Sequence, residues 1–174
     1  MPAPGAPRTF DVAVIGGGMI GPAVSLGLLE RGLRVCILDE GDDVLRVARG
    51  NFGLVWFQGK GFGMPRYVEW TRRSALLYAD FAAELKDTTG IDIGHARPGG
   101  LELLLGEDEL AHRQHYLGQI YQQGGGVDYE VEFIDRKQVA DMLPKVTLGE
   151  DVIGASYSPL DGHVNPLFLL RAMN

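Results

Sequence analysis

Phe10-Asp11-Val12-Ala13-Val14-Ile15-Gly16-Gly17-Gly18-Met19-Ile20-Gly21 decides the fold, together with the two segments after it. A helical stretch runs from Met19 to Arg31 and stops at Gly32. Arg34-Val35-Cys36-Ile37-Leu38 is then a second apolar run, closed by Asp39. The order is strand, glycine loop, helix, strand, acid, the layout of a dinucleotide-binding βαβ unit.

Each part has a physical task. Gly16 lets the chain turn sharply after the first strand, where a Cβ would clash. Gly18 lets the backbone approach a pyrophosphate, and Gly21 lets the helix pack tightly on the strands. The free N–H groups of the first helical turn, around Met19 and Ile20, face the phosphate charge with the positive end of the helix dipole. Asp39, with Glu40 beside it, is placed to accept hydrogen bonds from a ribose diol. A carboxylate there disfavours a 2′-phosphate. With 25 glycines in 174 residues, the bare G-x-G-x-x-G pattern arises by chance roughly once in two such chains. The strand before it, the helix after it and the acid ending the next strand carry the reading. The alternative is a glycine-rich turn with no ligand.

Composition bounds the rest. The chain has 45% hydrophobic and 22% charged residues and a net charge of −7, which fits a globular protein of one domain, or one and a piece. The acidic balance argues against nucleic acid and against an anionic membrane surface as main partners. Cys36 is the one cysteine; no disulfide can form within the chain, and a small buried hydrophobe is the reading preferred over a redox role. Residues 1–9 have no apolar core of signal-peptide type. No apolar run is long enough to span a membrane, so a reducing cytoplasm is expected.

Further along, residues 41–53 read as a polar connection and Leu54–Gln58 as a short extended piece. Pro65 opens a helix to about Lys86, with Tyr67, Trp70, Leu77, Phe81 and Leu85 on one core-facing stripe, and Gly90 stops it. Ile91–Ile93 and Gly100–Leu104 read as strands. Residues 107–123 form a polar helix ended by Gly124-Gly125-Gly126. Tyr129–Ile134 alternates as a half-buried strand. Asp135 caps a short helix, with Gln138 in the capping-box position and Pro144 beyond its end. Val152–Tyr157 is a strand, and Asn165-Pro166 opens a last helix. Ile20, Val24 and Leu28, four apart, are expected to face the first sheet.

The fold class is α/β: a Rossmann-type dinucleotide-binding βαβ into which the start of an antiparallel α+β domain is inserted, an incomplete fold. The expected organisation is a disordered tail over 1–9, the first part of the dinucleotide-binding domain over 10–85, part of the inserted domain over 86–160, and a return toward the dinucleotide-binding domain over 161–174, where the chain ends early. Two parallel strands cannot bury both faces of such a sheet. The chain therefore reads as the N-terminal half of a larger two-domain protein, not expected to be catalytically complete alone.

Beyond the first block, Ala48-Arg49-Gly50-Asn51-Phe52-Gly53-Leu54-Val55, Gly99-Gly100-Leu101-Glu102-Leu103 and Asp161-Gly162-His163-Val164-Asn165-Pro166 complete a resemblance. The chain resembles the D-amino-acid-oxidase-like flavoproteins, which include sarcosine oxidase, glycine oxidase, hydrogen cyanide synthase and opine oxidase subunits. Gly50 to Gly61, with Trp56, Gln58 and Lys60, looks most like the opine-oxidase and cyanide-synthase branch. The resemblance implies FAD as cofactor and oxidation of a C–N bond in a D-amino acid, sarcosine, a proline derivative or an opine-like amine, by hydride transfer to flavin. It places Arg49, Asn51 and Gly53 along the FAD phosphates and ribityl chain, and residues 54–58 near the ring edge. A solvated surface cation is the alternative for Arg49. Candidate cofactor residues are thus Gly16, Gly18, Met19, Ile20, Gly21, Asp39, Glu40, Arg49, Asn51 and Gly53. No catalytic residue is named, because in this family the substrate clamp comes from the C-terminal half.

Other residues are set aside. Glu109, His112 and His115 share a helix and could hold a metal, but a polar exposed face explains the spacing equally well; no metal ligand is named. His163 is read as part of the turn leading into the last helix, and Lys60 as a solvated loop lysine. Three functions stay open: an FAD-dependent amine or amino-acid oxidoreductase, an NAD-binding Rossmann protein, and a non-catalytic fragment or subunit completed by a partner chain. Expected partners are a small amine or amino acid and either a homo-oligomer or a partner subunit.

Overall fold

The structure, a computed structural model, describes residues 9–41, 47–123 and 129–174. The tail before Thr9, part of the 41–53 connection and the expected helix stop at Gly124–Gly126 lie outside the described residues. The chain divides into two compact units: residues 1–53, 82–94 and 165–174 form the first, and residues 54–81 and 95–164 the second.

In the first unit, β1 (Val12–Ile15) and β2 (Val35–Leu38) pair in parallel, Val12 opposite Val35 and Ile15 opposite Leu38. The main chain extends the pairing at both ends, through Asp11 N–H to Arg34 O and Gly16 N–H to Leu38 O, each 2.8 Å. Arg34 grips Asp11 with two side-chain N–H donors and its own backbone N–H. That pairing, with Arg34 as the first cause, lowers the Asp11 pKa to about 2. Between the strands runs α1 (Ile20–Leu29), closed at Gly32, whose φ of 77° suits a residue without Cβ.

The expected inward face of α1 is corrected. Ile20 is 78% and Val24 49% exposed, while Pro22 and Ser25 are buried. The cause is Gly21. A Cβ there would overlap the Gly16 carbonyl oxygen and touch Val14. The helix therefore approaches β1 through its glycine side, and that rotation turns Ile20 and Val24 outward. Cys36 is half-buried rather than fully enclosed. Ile91–Ile93 forms no strand. Thr89 Oγ1 takes the Ile91 N–H, Asp92 Oδ1 takes the Gly94 N–H, and Gly94 adopts φ 62°. Local turns thus absorb donors a ladder would need. Ile93 is nonetheless fully buried, and its carbonyl accepts the N–H of Asn165. Asn165 Oδ1 caps α5 (Pro166–Met173) through the N–H groups of Leu167 and Phe168.

The second unit is built on an antiparallel sheet in the order β4 (Gly100–Leu105), β6 (Val152–Ser158), β5 (Glu132–Asp135). A two-residue pair, β3 (Leu54–Val55) with β7 (Gly162–His163), lies apart from it. β5 is shorter than the alternation from Tyr129 suggests. Val131 N–H turns back to Tyr129 O, and the Tyr129 hydroxyl is held by Gly59 N–H. Asp135 and Gln138 form the reciprocal capping box of α4 (Arg136–Met142). One core cluster joins Ile134, Val139 and Ala155; a second joins Val68 of α2 (Pro65–Thr89) to Leu117 and Ile120 of α3 (Gly106–Gln123). The second cluster overturns part of the expected α2 stripe. Val68, Ala75 and Leu85 are buried, whereas Tyr67, Trp70 and Leu77 are exposed. The loop at Gly61 closes directly on Val68, where a Cβ would strike its Cγ2. This contact selects the Val68 side of the helix.

Candidate functional site

The first unit holds the dinucleotide-type site. β1 ends where Gly16 adopts φ 106°, a conformation open to glycine and strained for other residues. α1 starts at once, with Met19 as N-cap making no side-chain capping bond, and no acid in its first turn. Its first N–H groups and positive dipole end therefore face outward with no anionic side chain of the helix to neutralise them, which is the arrangement that holds phosphate. They open into a hollow of about 570 Å³ lined by Gly16, Gly18, Met19, Ile20, Gly21 and Asn51, with Val47 and Ala48 on the facing wall. At Gly18 a Cβ would meet only Ala48, at 3.8 Å, so the backbone itself is the floor.

Asp39 stands next to this hollow rather than in its wall. It lines a neighbouring hollow with Gly17, Arg49 and the α5 residues Leu170 and Arg171. Its Oδ2 accepts the Gly17 N–H at 2.6 Å and its Oδ1 the Gly41 N–H at 3.0 Å. A Cβ at Gly17 would press on the carboxylate at 3.2 Å. The carboxylate is thus pre-oriented at the end of β2. Glu40 is exposed beside it, and Gly53 is buried with φ 75°, its N–H on Asn51 Oδ1 at 2.6 Å. The candidate residues therefore fall into a glycine-lined hollow, an Asp39–Arg49 hollow, and two positions, Glu40 and Gly53, lining neither. The walls from Val47, Ala48 and α5 are additions of the structure. Apolar or lone basic residues at these places carry no local signal.

The glycine cradle and the uncapped helix supply N–H donors and the acid at the end of β2 supplies an acceptor, a set whose chemistry fits the pyrophosphate and ribose of a dinucleotide such as FAD.

The second unit contains a buried polar chain that sequence reading misses. Asp161 is fully buried; its Oδ1 accepts the N–H of Phe57 at 2.6 Å and of Gln58 at 3.4 Å, while Oδ2 has no partner among the described residues. Burial pushes the Asp161 pKa up, against the pull of those hydrogen bonds. Gln58 Nε2 donates to Gly100 O, and Gln58 Oε1 accepts from Ser156 Oγ and Arg113. Arg113, itself buried, reaches Glu102 at 2.6 Å. Burial likewise pushes the Tyr129 hydroxyl up to about 12. Asp161 is separated from Phe57 by 104 positions, so in sequence it reads only as part of a turn. Lys60 is exposed on its loop. His112 stacks on Tyr116 and Glu109 accepts the Leu105 N–H. Among the described residues no cluster of three potential metal ligands forms. No helix among them is long and apolar enough to cross a membrane.

Comparison with known proteins gives the family of the chain. The family model described as FAD dependent oxidoreductase matches residues 11–174. An opine oxidase subunit of Agrobacterium tumefaciens (strain Ach5) is 37% identical over 94% of the chain and 44% of its own length. Glycine oxidase of Geobacillus kaustophilus (strain HTA426) is 29% identical over 94% of the chain and 42% of its own length. The crystal structure of glycine oxidase from Bacillus cereus ATCC 14579 superposes with a TM-score of 0.77 at 33% identity, over 95% of this chain and 42% of that one. The chain thus spans less than half the length of these relatives. With a dinucleotide cradle of the right chemistry and a family match across nearly its whole length, the chain belongs to the FAD-dependent oxidoreductase family.

Proposed function

We propose that this chain carries the dinucleotide-holding part of an oxidoreductase acting on amines or amino acids, with the C–N bond as the one oxidised. The observation that carries the reading is the Gly16–Gly21 cradle at the uncapped N-terminus of α1, with Asp39 pre-oriented beside it. In this reading the N–H groups around Gly18, Met19 and Ile20 hold the pyrophosphate. Asp39, with Glu40 beside it, receives the ribose diol. Arg49, Asn51 and Gly53 follow the phosphates and the ribityl chain. The first unit is the cofactor part and the second belongs to the substrate part. Bound FAD supplies the hydride-accepting chemistry; the described residues supply position and charge for its dinucleotide end. The similarity to an opine oxidase subunit supports a secondary amine of opine type as the substrate of the whole protein, and a place in a larger assembly as its setting.

Calorimetric titration with FAD, ADP and NAD tests the cofactor reading. FAD is expected to bind, ADP to compete with it through the shared pyrophosphate and ribose, and NAD to bind more weakly. Absence of FAD binding, or tighter binding of NAD, defeats the proposal. Dye-reduction assays of the full-length protein with opines, sarcosine, proline derivatives and D-amino acids test the substrate class; turnover confined to substrates without a C–N bond would remove it.

A further inference from the structure

His95, in the second unit, is half-buried, and its Nε2 is enclosed with no hydrogen-bond partner among the described residues. The ring stacks on Tyr78 of α2, 5.7 Å between ring centres and 25° between planes. Arg97 of its own segment and His163 of β7 are the charged or titratable groups that act on it. Tyr78 brings no charge, because burial pushes its hydroxyl up. Among the described residues no carboxylate pairs with His95, Arg97 or His163.

These side chains sit on a short backbone latch. Ala96 N–H donates to His163 O at 3.0 Å, and His163 N–H donates back to Ala96 O at 2.9 Å. Gly99 N–H donates to Asp161 O at 3.0 Å. The approach is close, since a Cβ at Gly162 would overlap the Ala96 carbonyl oxygen. On its other side β7 pairs with β3, His163 opposite Leu54. The latch thus holds the segment that carries Asp161, whose carboxylate fixes the N–H groups of Phe57 and Gln58. We propose that His95 is an acid-sensitive catch on this latch: a proton on its enclosed nitrogen opens the Ala96–His163 pairing and loosens residues 161–163.

A protonated ring would place a charged donor where no acceptor meets it, beside the Arg97 cation and a second histidine that charges in the same range. Burial, then Arg97 and His163, lower the His95 pKa. The closed latch is therefore fully stable above the ordinary histidine value and loses stability as pH falls through that value toward the lowered one. Each unit between the two values is a tenfold change in the opening equilibrium. Asp161 has the opposite sign, since its pKa is raised, so loosening by acid does not come from it.

NMR titration of the His95 ring in the full chain, with hydrogen exchange of the Ala96 and His163 amides, tests the proposal. His95 is expected to titrate below the ordinary histidine value. Protection of the two amides, corrected for intrinsic rates, should fall tenfold for each unit of that difference, while the β6 amides keep theirs. His95→Phe retains a ring against Tyr78 and cannot take a proton, so the acid loosening should vanish. The proposal is overturned if His95 titrates at the ordinary value or if the two amides stay protected through its titration, and the unaltered chain decides both. It is equally overturned if the loosening persists in His95→Phe.

Discussion

The parallel pair of the first unit and the antiparallel sheet of the second differ in how they are enclosed. No residue of β1 or β2 is buried, whereas five of the seven residues of β6 are. Ile15 at the end of β1 is 88% exposed and Ala155 in β6 is fully buried. The first unit is held by devices inside its single βαβ segment: the Gly21 contact, the Asp11–Arg34 clamp and the Asp39–Gly17 bond. The second is held by contacts between more distant segments, with Asp161 on Phe57, 104 positions away, and Arg113 on Ser156, 43 positions away. Two parallel strands cannot bury both faces of a parallel sheet, and the chain spans less than half the length of the relatives it matches. A buried polar chain needs enclosure, because each donor removed from water must find its partner inside.

The largest effect that would break this comparison belongs to Gly21→Val. Its branched side chain would run into the Gly16 carbonyl, lift α1 from β1, destabilise the chain by about 3 kcal/mol and abolish FAD binding. Thermal melts with FAD titration measure both, and native-like binding would show that the close approach is dispensable. Next comes Asp161→Ala in the second unit. It leaves the Phe57 and Gln58 N–H groups buried without an acceptor, for about 1–3 kcal/mol, while FAD affinity of the first unit should stay within about threefold. Equal losses in both readouts would erase the distinction between the units.

Asp39→Ala has the reverse signature. FAD affinity should fall by about 1–3 kcal/mol, the scale of charged hydrogen bonds, with the melting temperature of the free chain little changed. Unchanged affinity in calorimetry would remove Asp39 from the site.

The smallest effect is a pair of opposite pH slopes. The Asp11 pKa is lowered by Arg34, so its contribution is present above the usual carboxylate value and is lost as pH falls toward 2. The Asp161 pKa is raised by burial, so its contribution is fully present below the usual value and is lost as pH rises through the folded one. Melts of Asp11→Asn and Asp161→Asn against the unaltered chain should diverge accordingly: the first variant loses ground as pH rises from about 2 to about 4 and the second gains ground as pH rises beyond about 4. Parallel slopes would mean that the two carboxylates feel the same environment.

Sequence by itself determined the features whose causes lie within a few residues. The βαβ order, the glycines at 16, 18 and 21, the acid at 39, the Asp135–Gln138 capping box and the Asn165 cap were all legible, because turn geometry, helix capping and strand alternation act locally. Only the tertiary structure decided which helix faces are buried. Ile20 and Val24 are turned out by the approach at Gly21, and Trp70 and Leu77 by the loop closing on Val68 at Gly61. It also decided the partners of Gln58, Arg113 and Asp161, and the placing of Asp39 beside the glycine hollow rather than within it. A helix with apolar residues on more than one side has no rotation of its own. Its neighbours choose one, and those neighbours are set by packing between segments that lie far apart along the chain.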